Sequence, residues 1–250
     1  MIQLTIIKIT GYGPWTLTLG SDREHRLQIL QAYLYKEVQN LFAERNCLAF
    51  PNRFDEIFVI SNGLSVDDHI KIKKQLAQSF ELGLSMSIGQ GQTPFEASSN
   101  ADKARRSNTM LSKDHNIFGL QIKKDEDLVQ ILHMDVDGST SLAAKKSPYE
   151  VSLLIIKLYS EMSEFFLQRN LLTFFMGGDN FMVISSGINK DEISKFLEIV
   201  KQKYDISFNC GIGTAKTGRD AAKLATQSLD RIRELRDSGK KDMRILELTC

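Results

Sequence analysis

Two short acidic motifs hold the residues best suited to chemistry. Residues 133 to 140 read His-Met-Asp-Val-Asp-Gly-Ser-Thr, which sets Asp135 and Asp137 on either side of Val136. Two carboxylates this close repel each other and serve no core purpose. A hard divalent cation with oxygen ligands, Mg²⁺ or Mn²⁺, would neutralise them. Gly138, Ser139 and Thr140 follow, and such a turn leaves backbone N–H groups free to hold phosphate oxygens. Taken alone, the segment reads equally as a solvated acidic turn with Ser139 capping a short helix. The second motif is Gly177-Gly178-Asp179-Asn180, with Asp179 44 residues beyond Asp135 (179 − 135). Glycines let a backbone approach a ligand closely, and Asp179 can share a metal with Asp135. Alone, this stretch is a plain turn. Together, two acidic turns converging on one place are better explained by a metal–triphosphate site. His133 shares a strand face with Asp135 by the period of two. It reads either as a general base or as a satisfied rim residue.

The elements that must position these turns come twice. Residues 34 to 63 and 158 to 187, offset by 124, agree at 13 of 30 positions, among them Leu34/Leu158, Arg45/Arg169, Phe50/Phe174, Asp55/Asp179 and Gly63/Gly187. Ordinary composition would give roughly two matches by chance. The chain is therefore expected to be two copies of one domain, residues 1–124 and 125–250. In the second copy a strand from Val129 to Asp135 precedes an amphipathic helix over 148–169, where Val151, Leu154, Ile155, Leu158, Met162 and Phe166 recur at three and four residues. Two apolar runs parted by Gly177-Gly178-Asp179 predict a hairpin. A helix over 190–203, a strand over 206–213, a helix over 220–237 and a strand over 244–248 complete the unit. The order β-α-β-β-α-β-α-β predicts an α+β fold of tandem duplicated ferredoxin-like or palm-like (split βαβ) domains, with antiparallel sheets and helices on one face. The first copy has Ile9-Thr10-Gly11-Tyr12-Gly13 where the first acidic turn belongs, and Arg53-Phe54-Asp55-Glu56 at the hairpin. It is a degenerate copy, and one site per chain is expected, in the second.

Composition narrows the partners. The 250 residues carry 32 Lys and Arg against 31 Asp and Glu, a net charge of +1, so neither nucleic acid nor an anionic membrane surface is an expected partner. A hydrophobic fraction of 42% excludes wholesale disorder. Cys47, Cys210 and Cys250 lie in no metal-binding spacing and make no disulfide framework. The N-terminus lacks a basic leader, so a cytoplasmic protein is expected.

MDVDGST followed by MGGDNF resembles the palm domains of class III nucleotidyl cyclases and GGDEF diguanylate cyclases. That resemblance implies two divalent ions on a nucleoside triphosphate, held by Asp135, the Val136 carbonyl and Asp179. It also makes Arg236 and Lys240, around Gly239, triphosphate ligands alongside Asp137, Gly138, Ser139, Thr140, Gly177 and Gly178. The whole chain is similar to the archaeal-type GTP cyclohydrolase III family, two fused palm-like copies with the acids kept in one. This implies hydrolytic opening of the guanine imidazole ring of GTP with loss of two phosphates. The product is a formylaminopyrimidine ribonucleotide monophosphate, on the way to flavins or deazaflavins. Asp135, Asp179 and His133 are the expected catalytic residues and Mg²⁺ the expected cofactor, with Mn²⁺ as a substitute and room for a monovalent cation. A homo-oligomer with GTP as its partner is expected. The alternatives are a cyclase-like transferase, which keeps the guanine intact, and a GTP-binding sensor without turnover.

Overall fold

The computed structural model describes residues 1–123, 127–139, 144–239 and 242–250. It divides into two compact units, residues 1–92 with 96–127 and residues 93–95 with 128–250. The first unit contains β1 (Ile2–Ile9), α1 (Tyr12–Thr18), α2 (Arg23–Ala43), β2 (Leu48–Arg53), β3 (Glu56–Ile60), α3 (Val66–Ser79), β4 (Leu84–Gly91), α4 (Pro94–Arg106), β5 (Met110–Ser112) and β6 (Ile117–Gly119). The second contains β7 (Val129–Val136), α5 (Pro148–Leu167), β8 (Leu172–Gly177), β9 (Asn180–Ser185), α6 (Lys190–Tyr204), β10 (Phe208–Ala215), α7 (Gly218–Asp237) and β11 (Ile245–Thr249). Strand order is β2-β3-β1-β4-β6-β5 in one sheet and β11-β10-β7-β9-β8 in the other. Each sheet is antiparallel except for one parallel pair, β4 with β6 and β10 with β11. Among the described residues no helix is long and apolar enough to cross a membrane.

Local sequence accounts for the helices of the second unit. Ser147 caps α5 reciprocally with Glu150, and Pro148 occupies the first turn, where its missing N–H is no loss. Thr217 caps α7 by accepting a hydrogen bond from the Asp220 N–H. The helices lie on both faces of the sheet, not on one as the element order led us to expect. Leu132, Met134 and Val136 of β7 join Leu158 and Phe166 of α5 and Ile193 and Phe196 of α6 in one core. The alternate residues His133 and Asp135 point to the opposite face, where α7 lies. Chain order cannot separate the two arrangements. The third helix is distinguished by its small apolar residues Ala221, Ala222 and Ala225, all buried.

Those alanines meet a strand that has no side chains at the crossing. A Cβ placed on Gly211 or Gly213 of β10 would lie 2.0 Å from the carbonyl oxygen of Ala225 or Ala221 respectively. Only glycine permits α7 to sit this close to its strand. Gly89 of β4 meets Ala97 of α4 in the same manner, at 2.1 Å.

Candidate functional site

β7 delivers the first acid. In its antiparallel ladders Asp135 stands opposite Asn180 of β9 and Asn209 of β10. Asp179 is therefore one residue beyond the strand partner of Asp135, on the β8–β9 hairpin. The two acids of the sequence motifs thus reach the same end of the sheet. Gly177 and Gly178 have φ of +100° and +62°, a left-handed path that side-chain-bearing residues rarely take. A Cβ on Gly177 would meet nothing within 4 Å, so the turn is bare on that side.

The sequence anticipates repulsion between Asp135 and Asp137, and in the structure each carboxylate faces an arginine. Asp135 is 5% exposed, and its Oδ2 accepts a hydrogen bond from Arg233 Nη2 of α7 at 2.5 Å. Asp137 accepts from Arg236 and from Arg244. Burial alone would raise the Asp137 carboxyl, but the bonds and charges of Arg244 and Arg236 outweigh it and hold the group below the usual carboxylate range. Arg244 also donates to Asn209 Oδ1 at 3.1 Å. Sequence reading assigned no role to Arg233 or Arg244. Arg233 lies one helical turn before Arg236 on α7, a spacing that puts both on one face and that the sequence already displays.

His133 sits between α7 and β9. Burial lowers its imidazole pKa, so the ring is neutral at pH 7. Nε2–H then donates to Asn180 Oδ1 at 3.1 Å, and Nδ1 lies 3.0 Å from Thr226 Oγ1, whose hydroxyl also reaches the Ala222 carbonyl at 3.0 Å. The Asn180 amide donates in turn to Asp179 Oδ1 at 3.0 Å. A polar chain thus runs from α7 through His133 and Asn180 to the hairpin acid. Both ring nitrogens are engaged, so His133 braces Asp179 through Asn180.

The donor set fits a hard cation. Asp135 Oδ1 is buried and has no hydrogen-bond partner, an expensive condition for a carboxylate oxygen. Among the described residues no three His, Cys, Asp or Glu side chains form a ready cage. Mg²⁺ commonly takes one or two carboxylates and completes its shell with water and substrate phosphates, which is what Asp135, Asp179 and the Val136 carbonyl would leave open. Gly138 has φ +71° and is exposed, and Ser139 is the last described residue of this turn. Thr140 and Lys240, both expected at the triphosphate, lie outside the described residues.

The first unit carries a changed version of the same place. Lys8 of β1 stands opposite Glu56 and Ser85, the partners equivalent to Asn180 and Asn209 (56 + 124 and 85 + 124). Lys8 therefore occupies the position of Asp135. Its ammonium lies 3.5 Å from Glu56 Oε2 and 3.9 Å from Asp55 Oδ2, and Arg53 reaches the same two carboxylates. The offset of 124 hid this exchange, because the first strands align at 127 (135 − 8).

A split βαβ sheet with an acid near the end of its first strand and a Gly-Gly-Asp hairpin beside it, present twice with one copy altered, is a duplicated palm-type protein. The GTP cyclohydrolase III family model matches residues 1–244. The chain is 34% identical over 236 residues to GTP cyclohydrolase III of Methanothermobacter thermautotrophicus, covering 93% of this chain and 95% of that one. It is 33% identical over 237 residues to GTP cyclohydrolase III of Methanocaldococcus jannaschii, covering 93% and 88% respectively. Among solved structures it is similar to the GGDEF domain of FimX from Pseudomonas aeruginosa, at 15% identity and TM-score 0.40 over 49% of this chain and 82% of that one. The chain belongs to the GTP cyclohydrolase III family.

Proposed function

We propose that the second unit hydrolyses GTP at two places. One water cleaves the imidazole ring of guanine at carbon 8, and one water for each phosphoanhydride bond releases two phosphates. The product retains one phosphate on the ribose and a formylamino group on the pyrimidine. The observation that carries this reading is the buried, unpartnered Oδ1 of Asp135 beside the Gly-Gly-Asp hairpin, in a chain of this family.

Asp135, Asp179 and the Val136 carbonyl would hold two Mg²⁺, with Mn²⁺ as a substitute. When bound, these ions supply positive charge against the triphosphate and lower the pKa of a coordinated water. The bare backbone of Gly177 and Gly178 gives phosphate oxygens room to approach. Arg236 and Arg244 place two permanent positive charges at the same end of the sheet as Asp137. His133 and Asn180 hold the Asp179 carboxylate in one orientation, so that it need not reorganise when substrate arrives. A single cluster anchoring the triphosphate serves both steps by fixing the nucleotide.

The test is to incubate the protein with GTP and Mg²⁺ and record the ultraviolet spectrum together with free phosphate. Loss of the purine band with phosphate release is expected. Pyrophosphate release with an unchanged chromophore would make the protein a cyclase-like transferase, and no change in either would make it a sensor.

A further inference from the structure

Arg233 of α7 makes a close contact to Asp135. Its Nη2 lies 2.5 Å from Asp135 Oδ2, while Nη1 lies 2.9 Å from Asp230 Oδ1, one turn earlier on the same helix. Asp135 is buried, Asp230 is exposed, and the Arg233 side chain is 45% exposed. The guanidinium therefore stands at the mouth of the site with one hand on each carboxylate.

A buried carboxylate needs a positive charge beside it, and the structure places Arg233 there. A divalent ion approaching Asp135 meets this guanidinium at close range, and the two cations repel. The ion gains full use of the carboxylate only if Arg233 withdraws. Asp230 lets it do so without stranding its charge, because the side chain is long and already bonded there. Withdrawal leaves it at the rim beside Arg236, where the phosphates would lie.

We propose that Arg233 is an exchangeable counter-ion: it neutralises Asp135 in the ligand-free protein and passes to the triphosphate when divalent ions take its place. This rests on the two-ion reading of Asp135 and Asp179. The exchange makes the two ligands cooperative. Divalent ions alone must displace an attached cation, whereas ions arriving with an anion give that cation a new partner. Free protein then binds divalent ions weakly, and both ligands tightly together.

Two probes separate the halves of the exchange: Mn²⁺ alone, followed by the paramagnetic signal of the free ion, and inorganic tripolyphosphate at saturating Mn²⁺, which has no base to open. Arg233→Ala is expected to bind Mn²⁺ alone about tenfold more tightly than the unaltered chain, and tripolyphosphate about tenfold more weakly. A residue with a merely structural role would not strengthen metal binding when removed. Asp230→Asn, a surface change that leaves the fold intact, takes away the second foothold and is expected to weaken Mn²⁺ binding. Unchanged or weaker Mn²⁺ binding by Arg233→Ala, with normal binding by the unaltered chain, would overturn the exchange and leave the metal site standing. If Arg233→Ala fails to fold, an unchanged Mn²⁺ affinity in Asp230→Asn overturns it instead. Absence of Mn²⁺ binding by the unaltered chain, even with tripolyphosphate, would remove the metal reading and this proposal with it.

Discussion

Asp135 and Asp179 end up at one edge of the sheet with different surroundings, and the same substitution should affect them differently. Replacing either with Asn keeps shape and removes a charge that would face two dications. Such an electrostatic contact is worth about 3 kcal/mol or more, so both phosphate release and ring opening should fall roughly 100-fold or beyond. Near-normal phosphate release from both folded variants would end the two-ion reading. Stability should separate them. Relief of carboxylate repulsion would predict a gain for both, but Arg233 already neutralises Asp135. Asp135→Asn should therefore lose about 1–3 kcal/mol and melt lower. Asp179, half-buried and bonded by the Asn180 amide, should change by about 0.5 kcal/mol or less. At this scale the acids and glycines were legible because their types are unusual at turns. The arginines that neutralise them were not, since a guanidinium on a helix resembles any solvated charge until its partner is known.

At the scale of elements, the buried contacts of helices with sheets set the expectations. On α3, His69 is fully buried, donating from Nδ1 to the Ser65 carbonyl at 2.7 Å and accepting the Thr5 hydroxyl at Nε2, also at 2.7 Å. Burial lowers its pKa to about 4. The unfolded chain takes up this proton near pH 6.5 and the folded chain only near pH 4, so stability is full above 6.5 and falls as pH drops between these values. The loss should reach about 2 kcal/mol by pH 5. Comparing urea midpoints at pH 7 and pH 5 checks it, and His69→Gln should flatten the difference. On the other sheet, Gly213→Ala would drive a methyl group into the Ala221 carbonyl. We expect a loss of about 2–4 kcal/mol and, since Arg233 and Arg236 ride on α7, weaker binding of the triphosphate at temperatures where the variant is still folded. A normal melting temperature would show that the seam yields. The element order of the second unit was legible from hydrophobic periodicity and turn residues, with most boundaries within two residues of the expected ones, whereas α1 and the β5–β6 pair of the first unit were not expected. The placement of α7 opposite α5 and α6 was not, because the small residues that bring it close to β10 read as weak helix faces rather than as contacts.

For the whole molecule, the two copies differ at the end of the first strand. Lys8 holds the place of Asp135, and its ammonium already lies near Asp55 and Glu56. A divalent ion entering there would have to displace a covalently tethered cation that cannot diffuse away. A non-hydrolysable GTP analogue with Mg²⁺ should therefore saturate at one tight site per chain, and calorimetry returning two equivalent tight sites would contradict this. The duplication was legible from the internal match alone. The replacement of an acid by a base at equivalent strand positions became visible only through the ladder register, because the two copies differ by three residues between the first strand and the hairpin (127 − 124).

The glycine seam between β10 and α7, repeated between β4 and α4, also bears on how such a chain can vary. A contact built from side chains can drift by trading one methyl group for another, each step nearly neutral. A contact of backbone against backbone has no such intermediate sizes: the next residue after glycine is already too large at Gly211, Gly213 and Gly89. The surfaces of α7 and α4 are free to change, while the distance between helix and strand is not. Two copies could thus diverge, with Asp135 on one first strand and Lys8 on the other, while the spacing of helix and strand stayed the same in both.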